Sequence, residues 1–173
     1  VKPDIIFHLA GVSFISDSFN YPASAVEFNT IGSINILEAC RISCPEAKIF
    51  FASSSEIFGG KASENILTES SFPSPQNPYG VSKLAANQIV KIYRESYEMQ
   101  CCSGILFNHE GPYRSRQFVT RKISFNIAKQ KLLGGPPIEL GNLASARDWG
   151  SAEDYTIGMY KLLKNSKLED VIF

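Results

Sequence analysis

Four short, almost unbroken apolar runs limit what this chain can fold into. They are Ile5-Ile6-Phe7-His8-Leu9-Ala10, Ile49-Phe50-Phe51-Ala52, Cys101 to Phe107, and Val171-Ile172-Phe173. Runs of this length without polar alternation read as strands covered on both faces, and the first is expected to be buried on both sides. Between them the apolar spacing changes to that of helices. From about Ala23 to Ser43, residues Phe28, Ile31, Ile34, Leu37 and Cys40 predict a core-facing stripe. From Pro78 to about Tyr97, Val81, Leu84, Ala85, Ile89, Ile92 and Tyr93 predict another. A third helix is expected to open at Phe118, with Ile123 and Ile127 inward, and a fourth runs from the cap Ser151-Ala152-Glu153-Asp154 to about Lys164. The connections are read as Ser18 to Pro22 and a polar, turn-rich loop from Ile57 through Glu69 to Pro78. Strands alternating with helices give an α/β fold, a parallel sheet with right-handed crossovers.

Composition narrows the function classes. The 173 residues suffice for one domain with a core, and 17 Lys+Arg balance 17 Asp+Glu. No basic field favours nucleic acid or an anionic membrane surface as a partner. No apolar run approaches the roughly 20 residues that span a bilayer, and no signal-peptide pattern opens the chain. Cys40, Cys44, Cys101 and Cys102 do not form a ligand pattern, and His8 and His109 sit in unrelated segments, so no metal site is expected. The cysteines read as reduced, mostly buried thiols of a cytoplasmic protein.

The chemistry-bearing residues collect around the second run. Ser53-Ser54-Ser55-Glu56 closes that strand, and Asn77-Pro78-Tyr79-Gly80-Val81-Ser82-Lys83 opens the following helix. Asn77 can cap the helix and Pro78 suits its first position. Tyr79 and Lys83 then lie one turn apart on one helix face. An ammonium beside a phenol favours the phenolate, whose pKa otherwise starts near ~10, so the pair suits base catalysis near neutral pH. Hydroxyls and a carboxylate at the strand end would face the crevice where open α/β sheets bind ligands. Tyr-x-x-x-Lys alone is a weak signal that an amphipathic helix can carry by chance. The Ser-Ser-Ser-Glu strand end upstream is what turns it toward function.

With those motifs in hand, the chain resembles the extended short-chain dehydrogenase/reductases, the family of nucleotide-sugar dehydratases, epimerases and decarboxylases. Within it the motifs are most similar to those of GDP-mannose 4,6-dehydratases. Phe107-Asn108-His109-Glu110 matches a signature of that group, from which Gly111 and Tyr113 depart. Phe118 to Ile123 and Arg147-Asp148-Trp149-Gly150 match two others, and Ile138 to Asn142 resembles the short strand preceding the last. No glycine-rich dinucleotide loop occurs anywhere in the chain. Either this is no dinucleotide protein, or the chain is a fragment lacking the N-terminal half that carries the loop and the C-terminal end. The motif matches favour the fragment.

The resemblance implies the second half of a Rossmann-like, doubly wound parallel sheet. Residues 1–173 would form one partial NAD(P)-binding domain, with about 108–147 contributing to a smaller sugar-nucleotide-binding part. It implies GDP-D-mannose, or a related nucleotide sugar, as substrate and NADP as cofactor, with NAD possible, in a homo-oligomeric enzyme. Tyr79 would take the proton from O4 as hydride leaves C4, with Lys83 lowering its pKa, and Ser54 would bond O4. Glu56 would remove the C5 proton and help water leave from C6. Leu9, Ala10, Gly11, Ser13, Tyr79, Lys83, His109 and Arg114 match cofactor-contacting positions. Asn108, Lys122 and Arg147 match positions that hold the GDP-sugar. An epimerase or decarboxylase of the same superfamily, and a non-catalytic remnant, are the competing readings.

Overall fold

The computed structural model describes residues 2–63 and 66–173. Its main sheet has four parallel strands, β1 (Ile5–His8), β2 (Lys48–Ala52), β3 (Cys101–Ile105) and β6 (Val171–Ile172), in the order β1-β2-β3-β6. Ile5 registers with Lys48, Ile49 with Cys101, and Gly104 with Val171. A second, two-stranded parallel sheet joins β4 (Asn108–Glu110) to β5 (Trp149–Ser151). The helices are α1 (Ile15–Asn20), α2 (Pro22–Val26), α3 (Gly32–Ser43), α4 (Pro78–Ser96), α5 (Val119–Leu133) and α6 (Ala152–Leu163).

Alternate residues of a strand point to opposite faces, so the sheet separates two cores. Ile49, Phe51 and Cys101 pack with Leu37 and Cys40 of α3 and Val90 of α4. Phe50 and Cys102 pack with Met159, Leu162 and Leu163 of α6. Helices on both faces of a parallel sheet make the Rossmann-like α/β fold that the sequence predicts. All four cysteines are free thiols.

The crossover rule holds less uniformly than expected. The strand order advances in one direction throughout, yet α3 and α4 lie on one face and α6 on the other. The last connection therefore has the opposite hand to the first two. It is not a simple strand–helix–strand unit, since it runs through β4, α5 and β5 before α6 returns it to the sheet.

Several local expectations are corrected by packing. The first strand ends at His8, pairs with β2 and, contrary to expectation, is not buried on both faces: Phe7 is exposed and its neighbours are only half-buried. The third strand stops at Ile105, and a short helix, α1, begins before the expected connection at Ser18. The loop expected from Ile57 to Glu69 starts as 3₁₀ turns over Ser55–Ser63, and residues 64 and 65 lie outside the described residues.

The helical stripe over Ala23–Ser43 is interrupted by a π-helical turn, Glu27–Ile31. A π turn inserts one residue and rotates the face that follows. Leu37 and Cys40 are buried as expected, but Phe28 is 57% exposed and Ile31 is exposed. Asn29, Thr30 and Ser33 take the buried side instead. On α4, Val81 and Ile92 face outward while Tyr79, Ser82, Lys83, Ala86, Asn87 and Val90 are buried. Ile127 of α5 is also exposed, and α5 buries none of its residues fully. Ile138–Asn142 forms no strand; the partner of β4 is Trp149–Ser151.

Candidate active site

The chain leaves β1, β2 and β3 at the same end of the sheet, and those exits line a cleft of 580 Å³. Leu9, Gly11, Val12 and Ser13 come from the first exit, Ser53 to Glu56 from the second, and Leu106 to His109 from the third. Tyr79 and Lys83 of α4, Arg114, Gln117, Arg147 and Thr156 add to the polar lining. Of the residues predicted from sequence, Ala10 and Lys122 do not line it. Ala10 is exposed beside the loop, and the Lys122 ammonium is taken up by the Glu139 carbonyl at 2.6 Å.

The start of α4 forms as its sequence dictates. The Asn77 side-chain oxygen accepts a 2.7 Å bond from the Gly80 N–H, and Pro78 follows as the first helical residue. Gly80 has a second function. A Cβ there would lie 2.5 Å from the Glu56 carbonyl oxygen, so its lack of a side chain lets the first turn of α4 dock on the backbone of Glu56. Tyr79 is 8% exposed and Lys83 9% exposed. The Lys83 ammonium donates to the Ala52 carbonyl at 2.8 Å and lies 5.9 Å from the centre of the Tyr79 ring.

Burial dominates the electrostatics of this pair. It pushes the Lys83 ammonium down to about 8. It also pushes the Tyr79 phenol above its ordinary value, which the bond from the Ser54 hydroxyl and the positive charge of Arg114 oppose and the Glu56 carboxylate reinforces. The sequence assigns the lowering of Tyr79 to Lys83. In this structure burial raises it on balance, with Ser54 and Arg114 acting against the rise, and the Lys83 ammonium donates to the Ala52 carbonyl. One Glu56 oxygen accepts a 2.7 Å bond from the Asn77 amide.

The opposite wall is organised by aromatic rings. His109 Nδ1 lies 2.8 Å from the Phe107 carbonyl, which can only accept, so Nδ1 carries the proton. The His109 ring stacks on Tyr155 at 4.6 Å between centroids, and the Tyr155 hydroxyl donates to the Phe173 carbonyl at 3.0 Å. The Arg114 guanidinium lies 3.6 Å above the Phe118 ring, with its Nε 3.3 Å from the Glu110 carboxylate. Phe14 meets Phe118 edge-on at 5.7 Å. Asn108 enters the cleft at the start of β4, and Arg147 is exposed, donating to the Ala146 carbonyl at 2.7 Å.

Sequence reasoning missed Asn29. Its amide nitrogen donates to the Val12 carbonyl at 3.1 Å and to the Ser82 hydroxyl at 2.9 Å, and Ser82 donates on to the Tyr79 carbonyl at 2.7 Å. The loop after β1 is thereby tied to the helix that carries Tyr79 and Lys83. Gly11 makes the approach possible, since a Cβ there would lie 2.3 Å from the Asn29 amide oxygen. The available signal was weak: Asn29, Thr30 and Ser33 are polar residues interleaved with the apolar stripe Phe28, Ile31 and Ile34. Tyr155, Phe14 and Phe118 were also missed, because their roles depend on contacts between distant segments.

The family model described as GDP-mannose 4,6 dehydratase matches residues 1–173, the full chain. The chain belongs to the GDP-mannose 4,6 dehydratase family. It is 39% identical over 175 residues to "GDP-mannose 4,6 dehydratase 2" of Caenorhabditis elegans, covering 99% of this chain and 45% of the relative. It is 40% identical over 174 residues to "GDP-mannose 4,6 dehydratase" of Drosophila melanogaster, covering 99% and 44%. The chain thus spans about half the length of the curated relatives it matches. Among solved structures, RMD from Pseudomonas aeruginosa complexed with NADPH superposes with a TM-score of 0.90 at 27% identity, over 99% of this chain and 60% of that one.

Proposed function

We propose that the protein is a nucleotide-sugar 4,6-dehydratase that converts GDP-D-mannose to the 4-keto-6-deoxy sugar with NADP as cofactor. One observation carries the reading: Ser54, Glu56, Tyr79 and Lys83, separated by up to 29 positions in sequence, line one cleft of a chain in the dehydratase family.

The residues present fit the nicotinamide-ribose half of such a cofactor. The Lys83 ammonium has three donors and, among the described residues, one acceptor, which leaves two for ribose hydroxyls. Gly11 and Ser13 bring small residues to the cleft edge, and His109 and Arg114 offer polar edges on the far side. Bound there, nicotinamide would accept hydride from C4 of the hexose and return it at C6, so the reaction has no net redox change.

In its phenolate form, which the positive charge of a bound oxidised nicotinamide would favour against the burial that raises its pKa, Tyr79 accepts the O4 proton at its phenolic oxygen, and the Ser54 hydroxyl bridges that oxygen to O4. The 4-keto group acidifies the C5 hydrogen. The Glu56 carboxylate removes that proton and delivers it to the C6 hydroxyl, which leaves as water; as hydride returns at C6, C5 regains one proton, matching the one Tyr79 took from O4, and the tyrosine is reset. A tyrosine and a carboxylate thereby divide the acid–base work between two carbon centres. Asn108 and Arg147 bind the nucleotide-sugar; a guanidinium grips diphosphate oxygens as a fork. Residues from about 108 to 147 supply that part of the site.

We also propose a homo-oligomer. Phe28, Ile31, Ile42, Val81 and Ile92 expose apolar side chains on the helical layer formed around α3 and α4, and a second copy would cover them. Sedimentation showing a monomer of the protein expressed from its complete reading frame would refute this.

The activity is tested on that same protein, with GDP-mannose and NADP⁺. Loss of one water from the sugar supports the dehydratase reading. Inversion of a sugar centre without mass change would make it an epimerase and overturn the proposal.

A further inference from the structure

We propose that Asn77 is a positioning residue for the C5 proton transfer, holding the Glu56 carboxylate by the same side chain that caps α4. The inference rests on the reading of Glu56 as the C5 base.

The amide of Asn77 has no orientational freedom. Its oxygen accepts from the Gly80 N–H at 2.7 Å, because a helix N-terminus presents donors only. Its nitrogen must then point the other way, where it donates to a Glu56 oxygen at 2.7 Å. A carboxylate can only accept, so the two bonds fix the amide orientation consistently. Serine or aspartate would cap the helix as well as asparagine. Aspartate has no donor, and serine's one O–H sits on the cap oxygen itself, without the second, opposed arm that carries the Asn77 nitrogen to Glu56. Asparagine is thus suited to couple the two tasks.

The coupling has a mechanical consequence. Tyr79 lies two residues beyond Asn77 on the capped turn, and Gly80 seats that turn on the backbone of Glu56. The base for C5 and the tyrosine for O4 are therefore referenced to one rigid turn. With one oxygen held by Asn77, the other is left to face the substrate. Carboxylates that must meet a C–H at a fixed angle gain from such restraint, since a misplacement of about 1 Å can cost ~10²-fold in rate.

The test compares Asn77→Ser, Asn77→Asp and Glu56→Gln in the protein expressed from its complete reading frame, with GDP-mannose and NADP⁺. Asn77→Ser keeps the cap and removes the amide arm that reaches Glu56, leaving its only O–H on the cap oxygen; Asn77→Asp keeps the cap and sets a second carboxylate against Glu56. The expected result is a Tm unchanged by Asn77→Ser, an unchanged KM for GDP-mannose, and a kcat lowered ~10- to 100-fold. Because C4 oxidation still proceeds through Tyr79 while elimination stalls, reduced nicotinamide should accumulate during turnover. The isotope effect with C5-deuterated substrate should rise in the same variant, and Asn77→Asp should be slower still. A Ser variant with wild-type kcat and no accumulation overturns the proposal while Glu56→Gln remains inactive. If Glu56→Gln itself retains C5 proton removal, the base assignment is wrong and the proposal falls with it. A kcat loss in Asn77→Ser that tracks a fall in Tm, without reduced cofactor or a larger isotope effect, marks a structural role only and also overturns it.

Discussion

Along the wall formed by β2 and α4, Ser54, Tyr79 and Lys83 are each less than one-tenth exposed; across the cleft Arg147 lies in solvent and Asn108 is half-buried. The first wall is held by a helix cap, a strand end and the Asn29–Ser82 relay, all made of short hydrogen bonds. The second is held by stacked rings, His109 on Tyr155 and Arg114 on Phe118, with α5 contributing no buried residue. The contrast separates two physical tasks. Proton transfer needs atoms fixed before the substrate arrives, which burial and hydrogen bonding provide. Gripping a flexible diphosphate needs charges that can still move, which exposed side chains provide.

If the walls divide the work in this way, the largest effect should follow from the buried one. Tyr79→Phe should lower kcat by ~10²–10⁴-fold with KM for GDP-mannose little changed, because it removes an acid–base group and keeps the ring. Steady-state kinetics decide it. A fall expressed mainly in KM would mean that the buried wall binds rather than reacts, and the contrast would fail.

A smaller effect sharpens the role of burial. Lys83 titrates at about 8 in the folded protein and near ~10.4 when unfolded. Between those values the unfolded chain holds more protons, so the Lys83 contribution to stability rises with pH. Relative to Lys83→Met, the wild-type protein should gain on the order of 3 kcal/mol between about pH 8 and ~10.4. The buried thiols of Cys101 and Cys102, pushed up to about 12, act in the opposite sense and lose stability as pH rises. They are common to both proteins and cancel in the difference. Denaturant titrations across this pH range test it, and parallel pH profiles for the two proteins would show that Lys83 is not desolvated.

The smallest structural effect belongs to the open wall. Arg147→Ala should change stability by less than about 0.5 kcal/mol, as expected for an exposed side chain. It should raise KM for GDP-mannose while leaving kcat nearly intact. A thermal melt and the KM-to-kcat split read both quantities, and a large fall in Tm would show that the second wall is structurally fixed after all.

Much of the buried wall was legible in the sequence, because its determinants are local. The Asn77 cap, Pro78 at the first helical position, and the spacing of Tyr79 and Lys83 are all settled within a few residues. Ser54 and Glu56 follow from the end of a four-residue apolar run. The open wall was less legible. Ile138–Asn142 was expected to be a strand, but the partner of β4 is Trp149–Ser151, and that choice is made by pairing across 41 positions. Lys122 was assigned to the nucleotide-sugar, yet its ammonium bonds the Glu139 carbonyl.

The sequence alone determined the strand and helix alternation, the strand-end chemistry and the capped turn, because backbone preference and apolar periodicity act over one or two turns of chain. Only the tertiary structure decided which face of each helix is buried. The π turn at Glu27–Ile31 directs Asn29 rather than Phe28 inward to α4, where it ties Val12 to Ser82. Only the fold, too, placed Asn77 against Glu56, 21 residues away. Burial likewise set the ionisation of Tyr79 and Lys83, and burial belongs to the packed chain rather than to any residue in it.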